Sequence, residues 1–231
     1  MYMGIENIID ILQVSDSFFP SGMFAMSNGL ESMFYAKQIV DANELANLVS
    51  IQLACQIGPA DCVALGNTFT ALESRDFAKV IEIDQMTFSI KLVQEIRNAS
   101  VRSGSQLIRC LESFISNKYL KQYSDAIVQK QAHGIYPVAL AVGCVSLGIS
   151  KQNAAISMMY TFCVSMIGAA LRLGIISHLD GQSIIHTLKP TIFSIAKKYI
   201  DKPLSEVWQS SPSIDIFQMQ HERLDSKMFI T

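Results

Sequence analysis

Residues 131–150 and 152–171 contain no Lys, Arg, Asp or Glu, and this restricts the fold more than anything else in the chain. Each run is about as long as the roughly 20 residues a bilayer span requires. Two helices buried on most sides inside a large bundle would read the same way. The first run holds Gln131, His133, Gly134 and Pro137 in its opening third, which leaves the contiguous apolar stretch too short to span. The second opens with Gln152-Asn153 and is interrupted by Ser157, Thr161 and Ser165. A water-soluble bundle is the expectation, and a small integral membrane protein with two spans at 131–150 and 152–171 is the alternative.

The rest of the chain supports a bundle. Ile5, Ile8, Ile9 and Leu12 fall at i, i+3, i+4, i+7 and predict a first helix with that stripe inward. Asp41 and Glu44 open another as a capping-box-like pair, with Leu45, Leu48, Val49 and Leu53 as its stripe. Gly58-Pro59 reads as its end, with Asp61 capping the next helix. From about Gln85 to Phe114 the pattern predicts one long helix, with Lys91 and Glu95 paired on its wet side. Ala99, Ser100, Ser103 and Gly104 give that helix a face of small residues that admits a close neighbour. Tyr136-Pro137 opens a helix that stops at Gly148. Pro190 is expected to start a helix of its own. No window alternates with period two between hairpin turns. The expected fold is all-α: one domain over residues 1–231, a bundle of roughly eight to ten helices, with 225–231 as a C-terminal tail.

Composition narrows the chemistry. Charged residues are 16 % of the chain and apolar ones 50 %, against about a quarter charged in ordinary domains. That favours a large buried fraction or extensive partner surfaces, and a net charge of -2 gives no basic footprint for nucleic acid. The five cysteines form no C-x-x-C pair and sit among apolar neighbours, pointing to a reducing compartment without zinc or a disulfide framework. The first residues show no basic segment followed by an apolar one, so no signal peptide is expected.

Phosphate loops, dinucleotide-binding glycine patterns and nucleophile elbows are missing. His221-Glu222 begins like a zinc-protease helix, but position 225 is Asp, not the second histidine. No catalytic, cofactor or metal residue is assigned. Two polar clusters stand out instead. One is the segment Phe19 to Glu31, which the residues alone allow to be a tight helix-to-helix corner. The other is Glu95, Arg97, Ser100 and Arg102, where Glu95 and Arg102 lie seven apart on one helix face. A partly buried ion pair and a contact surface are both open there, as is a site in which Arg97, Arg102 and His133 hold an anionic ligand.

Taken together these stretches resemble a known family. Leu12 to Gly22, then Ser27-x-Gly29-Leu30-Glu31, is similar to the N-terminal motif of the urease accessory protein UreF family. Arg97-x-x-Ser100-x-Arg102-x-Gly104 resembles its central helix motif. His133 to Pro137 with Leu147-Gly148-Ile149, and Arg172-Leu173 with Asp180-Gly181-Gln182, look like the following blocks. Ser213-x-Asp215-Ile216-x-x-Met219-x-His221-Glu222-x-Leu224-x-Ser226 resembles its C-terminal motif. Lys227 stands where the family carries Arg, and Phe24 where it often carries Tyr.

The resemblance implies an all-helical cytoplasmic scaffold that is not an enzyme and holds no cofactor. It implies binding to a UreD/UreH-type accessory protein and to the GTPase UreG, delivery of nickel to apo-urease, and homodimer formation. Neither nucleic acid nor membrane is implied as a partner. The residues it assigns to partner contact are Phe24, Ser27, Glu31, Arg97, Arg102, His221, Glu222, Ser226, Lys227 and Phe229.

Overall fold

The computed structural model describes residues 5–231, with side chains for all of these but residues 5–7 and Phe24. Helices follow one another along the chain: α1 (Ile5–Ser15), a 3₁₀ turn (Met23–Ala25), α2 (Leu30–Tyr35), α3 (Ala42–Gln52), a π-helical stretch (Leu53–Cys62), α4 (Val63–Glu73), α5 (Phe77–Ile90), α6 (Gln94–Glu112), α7 (Lys118–Val128), α8 (Tyr136–Ser146), α9 (Lys151–Arg172), α10 (His178–Tyr199) and α11 (Pro212–His221), with a 3₁₀ turn at Leu204–Glu206 before the last. The described residues contain no strand.

The charge-free runs become the centre of this bundle. α8 is packed by α4, α6, α7 and α9, and every residue from Tyr136 to Cys144 is buried. Charge has nowhere to go on a helix surrounded in this way. The bilayer reading is not favoured. Residues 131–135 precede the helix in irregular backbone, α8 has 11 residues, and the apolar window of α9 is 72 % buried by the rest of the protein. Small residues set the closest approach. A Cβ on Gly104 would lie 2.1 Å from the Gly134 carbonyl oxygen, so α6 meets the start of α8 backbone to backbone, and Ser100 Oγ accepts the Tyr136 N–H at 3.2 Å.

In several places the structure differs from the sequence expectation. In α1, Ile8, Ile9 and Leu12 face solvent. The inward face is Ile11, Val14 and Ser15, whose hydroxyl meets that of Ser157 on α9 at 2.6 Å. Apolar residues occupy both sides of this helix, so periodicity alone could not choose; the Ile5 side chain lies outside the described residues. Gly58-Pro59 does not end a helix. The chain widens to a π-helix over Leu53–Cys62 with Pro59 inside. Pro59 has no N–H to donate into the helix; Ser210 N–H donates to the Cys55 carbonyl at 3.2 Å, and Trp208 N–H to the Pro59 carbonyl at 3.2 Å. Residues 208–210 thus brace the widened helix on either side of the proline.

The predicted long helix is broken between α5 and α6, where Lys91 and Val93 are extended. Lys91 is not on a wet face with Glu95. Its ammonium is turned inward onto Asp61 at 2.7 Å, both nearly buried, and Asp61 is an ion-pair partner rather than a helix cap. Pro190 lies within α10 and starts nothing. Pro190 and His186, whose carbonyl it leaves unpaired, are both exposed, so water can satisfy that carbonyl.

Candidate functional site: a buried carboxylate beneath the C-terminal tail

Glu31 is completely buried although it is an acid in a helix of six residues. Gly29, with φ of +90°, lets the chain turn into α2, and a Cβ there would fall 2.8 Å from Gln218 Cγ. α11 therefore comes close enough to α2 to place its last residue, His221, against the Glu31 carboxylate.

The imidazole is held between two acids: Nε2 lies 2.9 Å from Glu31 and Nδ1 2.7 Å from Glu95 in the first turn of α6. A neutral imidazole carries one N–H and cannot donate in both directions. The arrangement needs a hydrogen on each side of the ring, from an imidazolium or from a protonated carboxyl. Lys227 adds a second cation 3.3 Å from the other Glu95 oxygen. With imidazolium, two carboxylates and two cations balance, which is what a desolvated charged cluster requires. The carboxylates approach opposite sides of the ring, so they and the imidazole cannot converge on one metal ion; among the described residues no metal-holding group of His, Cys, Asp or Glu is present.

Glu31 also fastens the tail. One oxygen accepts the Met228 N–H at 2.8 Å and the other the Phe229 N–H at 3.2 Å. Beyond it the tail pairs with the N-terminal segment: Ile230 N–H donates to the Ala25 carbonyl at 2.9 Å, Ser27 N–H donates to the Thr231 carbonyl at 2.8 Å, and the Ser27 hydroxyl donates to the same carbonyl. Phe229 is buried under the Arg172 guanidinium, 4.3 Å from the ring centroid. The tail is thus docked, not a run of three exposed apolar residues; Met228 and Ile230 remain about half exposed. Glu222 accepts the Glu95 N–H at 3.0 Å and supplies the cap that Val93 cannot give α6.

Of the sequence-assigned contact residues, the structure gathers Ser27, Glu31, His221, Glu222, Lys227 and Phe229 here. The backbone of Phe24 lies in the adjoining 3₁₀ turn, and its side chain lies outside the described residues. Ser226 is exposed beside the cluster. Arg97 lies elsewhere: it donates to the Lys91 carbonyl at 2.9 Å, closing the break before α6, and rests 5.0 Å over Phe88. Arg102 is exposed on another part of α6.

Sequence reasoning gave Glu95 the wrong partners and missed Asp84. That buried acid accepts the Gly134 and Ile135 N–H groups at 3.1 and 2.9 Å, the His133 N–H and the Tyr123 hydroxyl, capping α8 from outside. Burial, with Asp84 beside it, pushes the Tyr123 phenol well above its usual range. The available signal was an acid inside the stripe Val80, Ile83, Asp84, Thr87. Burial likewise pushes the thiols of Cys62, Cys144 and Cys163 up to about 12, which makes them poor nucleophiles.

The site therefore joins segments from both ends and the middle of the chain, the same segments that carry the family motifs. Residues 39–189 match the family model described as UreF. The chain belongs to the UreF family. Its relatives include the urease accessory protein UreF of Trichodesmium erythraeum (strain IMS101), 30 % identical over 97 % of both chains. The protein of the same name from Bacillus sp. (strain TB-90) is 26 % identical over 98 % of this chain and 100 % of its own. Urease accessory protein UreF 2 of Brucella suis (strain ATCC 23445 / NCTC 10510) is 27 % identical over 99 % and 94 %. The UreF family model itself covers the central helices, while these whole-length matches extend to the N-terminal segment and tail that build the buried cluster.

Proposed function

We propose that this UreF-family chain is a non-catalytic scaffold in urease maturation. It binds a UreD/UreH-type accessory protein and recruits the GTPase UreG, and the assembly delivers nickel, its cargo, to apo-urease. It works in the cytoplasm and as a homodimer. The observation that supports this reading most is an exposed patch of Glu222, Ser226 and Lys227 laid over the buried Ser27, Glu31 and His221. A buried charge cluster of Glu31, Glu95 and His221 holds that patch in shape, and among the described residues no metal-holding group of His, Cys, Asp or Glu is present. Polar groups fixed in this way favour presentation to another protein over turnover of a small molecule.

The test is affinity capture of the tagged full chain from cells expressing a urease gene cluster. UreD/UreH and UreG homologues are expected in the eluate, with Lys227→Ala lowering UreG recovery and Lys227→Arg preserving it. Capture of neither protein, while urease in the same cells still matures through this chain's relatives, overturns the proposal.

A further inference from the structure

An open groove of about 570 Å³ runs between α6 and the segment preceding α2. Met26, Val101 and Ile230 give it an apolar floor, and Arg102 and Arg109 stand along one side. The two arginines are seven residues apart on one helix, so about 10 Å separates them along its axis. Both are exposed, and among the described residues neither meets a carboxylate. Between the arginines Ser103 turns into the groove. It is 1 % exposed, and its hydroxyl has no hydrogen-bond partner.

A buried hydroxyl without a partner is costly, and guanidinium forks are suited to carboxylates. One small anion cannot bridge about 10 Å. A polyproline II segment rises about 3.1 Å per residue with three residues per turn, so side chains at i and i+3 share a face about 9 Å apart. We infer that this groove docks an extended acidic segment of a partner protein. Carboxylates three residues apart meet Arg102 and Arg109, a small apolar residue between them meets Met26 and Ile230, and a backbone carbonyl takes the Ser103 hydroxyl. The inference deepens the scaffold reading and rests on it for the partner's identity as a protein. Because Ile230 belongs to the docked tail, the groove is complete only while Glu31 holds that tail down.

The test uses the full chain and a fluorescein-labelled Pro-Glu-Pro-Leu-Glu-Pro peptide, followed by anisotropy. Saturable binding is expected. Arg102→Ala and Arg109→Ala should each weaken it about tenfold, the scale of one lost charge-assisted contact. Replacing both peptide glutamates by glutamine should abolish it, and raised salt should weaken it. Both arginines are exposed, so circular dichroism should show the variants folded. No saturable binding, equal binding of the glutamine peptide, equal binding by the variants, or displacement of the peptide by a single-stranded oligonucleotide overturns the inference. Affinity capture separates this failure from failure of the scaffold reading. If the wild-type chain captures its maturation partners and Arg102→Glu/Arg109→Glu captures them equally, the groove is wrong and the scaffold stands. If the peptide binds as expected and the wild-type chain captures neither partner, the scaffold reading falls alone.

Discussion

Removing the Glu31 carboxylate strips His221, Met228 and Phe229 of an acceptor at once. Truncating one member of a buried charged cluster leaves the others unpaired, at a cost of about 3–5 kcal/mol. Glu31→Ala should lower stability by that order in chemical denaturation, and so should His221→Ala. The double variant should lose clearly less than the two together, because the groups act as one network; strict additivity would show them independent. A second residue-scale expectation concerns the thiols. In the folded state Cys62, Cys144 and Cys163 keep their protons up to about 12, whereas in the unfolded chain they release them near 9. Between those values the folded state binds more protons, so stability must fall as pH rises through the window. Denaturation midpoints at pH 8 and above 10 check the sign. In the folded protein at neutral pH a thiol reagent should reach Cys55 and Cys110, the two half-buried cysteines, before the other three.

At the scale of elements, the contact of α6 with α8 is the least forgiving. A methyl group at Gly104 would overlap the Gly134 carbonyl oxygen, and backbone cannot swing aside as a side chain can. Gly104→Ala should cost about 2–3 kcal/mol by overpacking, while Gln106→Ala on the exposed face of the same helix stays within about 0.5 kcal/mol. Thermal melts of the two variants compare them directly. These elements also show what the sequence could reveal. α8 and α9 were legible because burial on most sides removes charge from a whole helix, and the small face of α6 because only a close neighbour requires it. Pro59 misled because its local rule assumes α-helical spacing, whereas the chain widens there to a π-helix braced by Trp208 and Ser210 from about 150 residues away. Lys91 misled for the same kind of reason: its partner Asp61 is fixed by tertiary packing. Of the charge cluster, Glu31, His221, Glu222 and Lys227 were found through motif resemblance, and Glu95 was visible but assigned to its neighbours in sequence. Nothing local marks two acids as the two sides of one imidazole.

For the whole molecule, residues 225–231 are not a free end: Glu31 and the Ala25 carbonyl hold the tail to the bundle. Deleting these residues exposes the Phe229 site and the Glu31 carboxylate together. The loss of stability should be several kcal/mol, the usual size for emptying a buried aromatic site, and the melting temperature should fall accordingly. An unchanged melt would mean that the tail adds nothing to the free protein. The contacts concerned lie far apart in the chain: 190 residues between Glu31 and His221, and 204 between Ser27 and Thr231. At roughly 5–20 residues per second of synthesis, the N-terminal carboxylate leaves the ribosome on the order of ten to forty seconds before the histidine and backbone groups that neutralise it. During that interval it must remain hydrated, so the surface around it closes last, and a nascent chain interrupted before residue 221 never displays it.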